Sequence, residues 1–130
     1  MIEVFTDGGS RGNPGKAACA FVVYKENKII HEEFSYLGIT TNNQAEYGGL
    51  LNALRYLLSN NILEAKFYSD SELMVKQILK LYKVKDAGIQ KIYTEVTKEI
   101  SKFKKFEISH IRREKNSIAD KLVNKCLDEK

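Results

Sequence analysis

The sequence predicts a layered α/β fold built on a mixed five-stranded sheet, three antiparallel strands followed by two parallel ones, with helices on its faces. Three observations predict it. The first three extended runs are joined by connections too short for a crossover, so they form an antiparallel meander. The last two extended runs follow segments of helical periodicity, which are long enough to bring each strand back parallel. The resulting order, βββαβααβα, carries no repeat, low-complexity tract or linker, so the 130 residues read as one layered domain, 1–130. A chain of this length buries roughly two-thirds of its unfolded surface.

The first strand is Ile2-Glu3-Val4-Phe5-Thr6, and the carboxylate Asp7 follows it. Four glycines and the one proline then fall between Gly8 and Gly15. Glycine permits close approach of backbone to a ligand, so Asp7 is expected beside a turn that can lie flat against something. Ala17 to Tyr24 is dense in small and β-branched residues and reads as the second strand. Lys25 to Lys28 is a polar turn, and the more polar run Ile29 to Tyr36 is a third strand at an edge.

Thr41-Asn42-Asn43-Gln44 fits a capping box and opens a helix that runs to about Ser59. Leu50, Ala53, Leu54 and Leu57 form its apolar stripe, and Glu46 falls on that stripe one turn earlier. A carboxylate there is costly unless something pairs with it. Gly48-Gly49 weakens this helix by roughly 2 kcal/mol of propensity and implies that it lies very close to the sheet.

Ala65 to Asp70 is the fourth strand, again ending in a carboxylate. If it neighbours the first, Asp7 and Asp70 emerge side by side, at the strand ends where open α/β sheets bind ligands. A short helix follows, capped by Ser69 with Glu72 and carrying Leu73, Ile78 and Leu79. After a break at Asp86-Ala87-Gly88, Ile89, Ile92, Tyr93, Val96 and Ile100 mark another helix. Phe106 to Ile111 is the fifth strand. A basic loop from Arg112 to Lys115 leads to Asn116, a cap for the last helix, with Ala119, Leu122, Val123, Cys126 and Leu127 inside and Asp120 in its first turn.

Composition excludes some classes. No apolar run approaches the ~20 residues of a membrane span, and no basic leader precedes an apolar one, which sets a cytoplasmic, monomeric expectation with no membrane partner. Cys19 and Cys126 lack metal-type spacing and read as two buried thiols, with a disulfide left open. The net charge is only +4, yet Lys80, Lys83, Lys85 and many other basic residues fall in the second half. That bias fits a polyanionic partner or a lysine-rich solvated surface.

Asp7, Glu46, Asp70 and Asp120 are thus expected to converge. Uncompensated carboxylates repel, so a cation must sit among them. Their oxygens select hard ions, Mg²⁺ or Mn²⁺. Two such ions about 4 Å apart clamp the attacking and leaving oxygens of a phosphodiester. The residues alone make a metal site plausible and leave the substrate open.

Four motifs go further. Phe5-Thr6-Asp7-Gly8 with Gly12-Asn13-Pro14-Gly15, Thr41-Asn42-Asn43-Gln44-Ala45-Glu46, Tyr68-Ser69-Asp70-Ser71, and Arg113-Glu114-Lys115-Asn116-Ser117-Ile118-Ala119-Asp120 closely resemble type 1 ribonuclease H, in the family's order and over nearly the whole chain. The resemblance implies the ribonuclease H-like three-layer fold. It also implies endonucleolytic cleavage of the RNA strand of RNA/DNA hybrids, leaving 3′-hydroxyl and 5′-phosphate ends, with two Mg²⁺ for which Mn²⁺ can substitute. Carried over, Asp7 bridges both ions, Glu46 and Asp70 complete one site, and Asp120 holds the other. Asn13, Asn42 and the backbone of Gly8, Gly9 and Ser10 are the implied contacts to 2′-hydroxyls, by which a protein tells RNA from DNA. Thr41 and Asn42 suit a DNA-strand phosphate at a helix N-terminus, and Gln44, Arg113 and Asn116 are further implied substrate contacts.

The sequence departs from many members in two respects. It has no Trp, and Leu81 to Gln90 is too short for their basic protrusion. With no separate hybrid-binding domain either, weak and salt-sensitive affinity for hybrid is expected, with Lys80, Lys83 and Lys85 as partial substitutes. His110 has the spacing of the family's proton-transfer histidine but reads as part of a strand, so catalytic and structural roles both stay open, with Arg112 or Arg113 as alternatives. Activity on double-stranded RNA is left open too. Two other readings are a DNA nuclease on the same fold, opposed by the asparagine-rich helix start, and an inert hybrid-binding module, opposed by the four carboxylates.

Overall fold

The structure, a computed structural model, describes residues 1–130. Its elements are β1 (Ile2–Gly12), β2 (Gly15–Lys25), β3 (Lys28–Thr40), α1 (Asn42–Ser59), β4 (Glu64–Ser69), α2 (Glu72–Ile78), α3 (Ala87–Ile100), β5 (Lys105–His110) and α4 (Ser117–Asp128). A single 3₁₀ turn, Arg113–Lys115, fills the basic loop. The strands lie in the order β3-β2-β1-β4-β5. β1 and β3 run antiparallel to β2, while β4 runs parallel to both β1 and β5, which is the expected mixed sheet.

Alternation along the strands divides the core in two. Val4, Phe21, Val23, Ala65, Phe67 and Ile108 face α1 and α3 and share one apolar cluster with Tyr47, Leu50, Leu54, Leu57 and Val96. Ala18 and Ala20 point the other way, against Val123, Cys126 and Leu127 of α4. Small residues on that face let the last helix lie close. Cys19 sits between those two alanines in β2 and therefore points to the α1 side, with Asn52 Nδ2 3.5 Å from its sulfur. Cys126 is on the α4 side, so the two thiols are separated by the sheet and both are free. Burial pushes the Cys19 thiol up to about 12, which leaves it unreactive.

β1 does not stop before its glycines. It continues as a hairpin with β2 as far as the pair Gly12 and Gly15, whereas its ladder with β4 ends at Thr6 and Ser69. The sheet parts there, and the next residue along each parting strand is an aspartate, Asp7 or Asp70. Thr41 caps α1 by accepting the Gln44 amide at 3.2 Å. The Gln44 side chain accepts from the Thr40 hydroxyl and leaves the capping box half made. The doublet Gly48-Gly49 marks the close approach expected of it. A Cβ on Gly49 would lie 2.7 Å from the Asp7 carbonyl oxygen, whereas Gly48 faces the Leu37 side chain.

Three sequence expectations are corrected. α2 is capped by Ser71, whose hydroxyl accepts the Met74 amide, because Ser69 is fully buried at the end of β4 and accepts from the Ser71 amide. Met74 and Val75 anchor that helix, while Leu73 and Leu79 are exposed. Asn116 precedes α4 but makes no capping bond with its side chain. No helix is long and apolar enough to cross a membrane.

Candidate metal centre

The cleft opened by the parting of β1 and β4 is about 340 Å³ and is walled by Asp7, Gly8, Gly9, Ser10, Asn42, Glu46, Asp70, Arg113 and Asp120, among others. Each carboxylate arrives from a different element. Asp7 lies within β1, Glu46 in the second turn of α1, Asp70 just past β4, and Asp120 in the first turn of α4. Carboxylate oxygens of Asp7, Glu46 and Asp70 all lie within 4.8 Å of one another. Asp120 stands outside that group of three but lines the same cleft, and its charge acts on the Asp7 carboxyl.

The charges are poorly compensated. Asp7 is 5% exposed and Glu46 7%. Burial first, and then the neighbouring Asp70 and Asp120, raise the Asp7 carboxyl to about 8. Glu46 is pushed well above the usual carboxylate range by burial and then by Asp7 and Asp70. Burial raises Asp70 as well, against a hydrogen bond from Asn116 and the charge of Arg113. The permanent cation that counters the cluster is Arg113, on a largely exposed side chain 3.7 Å from Asp120. Glu46 Oε1 is buried with no hydrogen-bond partner at all. Such an orphaned acceptor costs about 1–3 kcal/mol. Three converging carboxylates with a free lone pair are a donor set for a hard divalent ion, which would remove both the repulsion and the orphan.

The family model described as reverse transcriptase-like matches residues 5–126. The structure superposes on ribonuclease H1 from the halophilic archaeon Halobacterium salinarum with a TM-score of 0.95 and 32% identity, covering 99% of this chain and 98% of that one. The chain belongs to the type 1 ribonuclease H family. A second solved member, LC11-ribonuclease H1 in complex with an RNA/DNA hybrid, matches at a TM-score of 0.94 and 37% identity over 99% of this chain and 98% of that one. The bifunctional protein Rv2228c of Mycobacterium tuberculosis is 34% identical over 98% of this chain, which spans 35% of that protein's length.

Other residues expected of a ribonuclease H line the cleft or frame it. Asn42 Oδ1 accepts the Ser10 amide at 3.1 Å, and Asn13 Oδ1 accepts the Asn42 amide at 3.0 Å. These two bonds lock the β1–β2 hairpin to the N-terminus of α1 and leave the side-chain NH₂ groups as available donors. His110 is the last residue of β5, exposed, and near enough to Asp70 for its charge to lower that carboxyl. Asn116 does not fit a substrate contact: it is 2% exposed. Two cleft residues escape sequence reasoning, Arg11 and Asn124. Arg11 pairs with Asp128. Asn124 donates to Asp120 at 3.4 Å, and their i,i+4 spacing on one helix face is the available signal.

Proposed function

We propose that this ribonuclease H cuts the RNA strand of RNA/DNA hybrids endonucleolytically, leaving 5′-phosphate and 3′-hydroxyl ends. One observation carries the reading: the buried, mutually repelling group Asp7, Glu46 and Asp70, open to a cleft and short of one hydrogen-bond donor. Asp7, Glu46 and Asp70 would hold one divalent ion, and Asp7 with Asp120 a second, Mg²⁺ or Mn²⁺. Ions bound there supply charge neutralisation at the scissile phosphate and an acidified water.

The chain's own residues do the rest. The carboxylate pocket fixes where the phosphodiester sits. Asn42 and the backbone of Gly8 to Ser10 lie along the cleft wall, with Asn13 bonded to the Asn42 amide beside it, where 2′-hydroxyls can be recognised. The N-terminus of α1 offers Thr41 and Asn42 to a phosphate of the DNA strand. His110, close enough to Asp70 for its charge to act on it, would hand a proton to the departing 3′-oxygen, and Arg113, beside Asp120, would hold the phosphate. The solved relative described as bound to an RNA/DNA hybrid supports the choice of substrate.

Labelled RNA/DNA, DNA/DNA and RNA/RNA duplexes incubated with Mg²⁺ test the proposal. Hybrid is expected to be cut within the RNA strand, and DNA/DNA left intact. Cutting of DNA/DNA alone, or binding of hybrid without cleavage, contradicts it.

A further inference from the structure

Asn116 is the feature that the substrate reading leaves unused. Its side chain is 2% exposed. Its Nδ2 donates to the Thr6 carbonyl oxygen at 2.8 Å and to Asp70 Oδ2 at 3.4 Å. Its own carbonyl oxygen accepts the Asp120 amide at 3.1 Å, the first helical bond of α4. One residue therefore touches the strand residue before Asp7, the carboxylate of Asp70, and the backbone of Asp120. The segments that carry three of the carboxylates are thereby tied through a single asparagine.

The orientation of the amide is fixed by its neighbours. Turned over, it would set its oxygen against a carbonyl and a carboxylate. In the observed sense its Oδ1 is buried without a partner. A residue chosen for stability alone would not leave that acceptor bare, nor give up the helix cap an asparagine here would normally make. Both defects are of the kind tolerated where a side chain serves a site.

We propose that Asn116 is a positioning residue: it pins β1, Asp70 and the first turn of α4 together, so that the carboxylates are held at ion-binding spacing before any ion arrives. It donates its hydrogen bond to the charged form of Asp70, as residues behind metal ligands do. This inference rests on the metal-centre reading above.

The test is Asn116→Ala, followed by calorimetric titration of Mn²⁺ well below the unfolding midpoint, with KM and kcat for hybrid measured alongside. The expected result is a 10- to 100-fold loss of ion affinity, typical of residues behind metal ligands, with kcat reduced and KM for hybrid unchanged. Unchanged ion affinity overturns the proposal; if KM also rises, Asn116 is a substrate contact after all. Asn116→Leu keeps the side chain's approximate size while removing the donor without adding a charge, and is read the same way if the alanine variant does not fold. Failure of both to fold would make the residue a structural one and overturn the proposal. Wild-type protein that takes up no ion would instead refute the metal-centre reading, so the two failures are distinguishable.

Discussion

Asp7→Asn is expected to abolish cleavage, by several orders of magnitude in kcat, while making the metal-free protein more stable. The first effect follows from the position of Asp7 between Glu46 and Asp70 on one side and Asp120 on the other. The second follows from proton linkage. The folded protein holds the Asp7 proton up to about pH 8, against an ordinary 3.8. Between those values the folded state binds more protons than the unfolded one, so stability falls as pH rises from about 4 to about 8. Below that window the carboxyl is neutral in both states and costs nothing. Above it the full cost of a buried charge is present. A tenfold change in proton affinity is worth about 1.4 kcal/mol, but Glu46 and Asp70 share the titration, so relief of about 2 kcal/mol is a fair expectation for removing one member. That corresponds to roughly 6–10 °C in Tm for a chain of this size. Thermal melts at pH 8 in chelator check it. An inactive variant with a lowered midpoint would mean that Asp7 serves the fold rather than the ion.

Gly8→Ala should be the most damaging single methyl group in the cleft. A Cβ at Gly8 would run into the backbone carbonyl of Ala45 and the amide of Glu46, neither of which can rotate away. The start of α1 would have to move off β1, and Glu46 would move with it. Overpacking of this kind costs about 3 kcal/mol, and here it also separates two carboxylates that must share an ion. Gly9→Ala is the control, since its Cβ would meet Asn42 Oδ1 at an ordinary 3.6 Å. Urea unfolding midpoints of the two variants should diverge sharply. Wild-type stability and rate for Gly8→Ala would show that the helix can sit farther out without loss.

Much of this site is legible because its residues break local rules. Glu46 stands on an apolar stripe, and Asp70 closes a strand, so each announces itself against its own element. The doublet Gly48-Gly49 announces the helix–sheet approach, although it is Gly49 that meets the strand backbone. The longer β1 is not legible: glycines that read as a turn are also tolerated in a hairpin, and only pairing with β2 decides. The role of Asn116 is hidden for a related reason. Before a helix, asparagine satisfies the cap pattern, and nothing local says that its amide instead crosses to Thr6 and Asp70. Ser71 displaces Ser69 as a cap because burial at the end of β4 claims the earlier serine. Local pattern thus locates the carboxylates, and tertiary contact decides what holds them together.

The most direct measurement is the thermal midpoint of the wild-type protein between pH 5 and pH 8, once in chelator and once in millimolar Mg²⁺. If the carboxylates form an ion site, the midpoint in chelator falls toward pH 8, where the ionised cluster is unrelieved, and Mg²⁺ restores it most strongly there. Coincident curves in chelator and Mg²⁺ across that range would mean that no ion is bound among Asp7, Glu46 and Asp70, and the metal-dependent mechanism would fall with it.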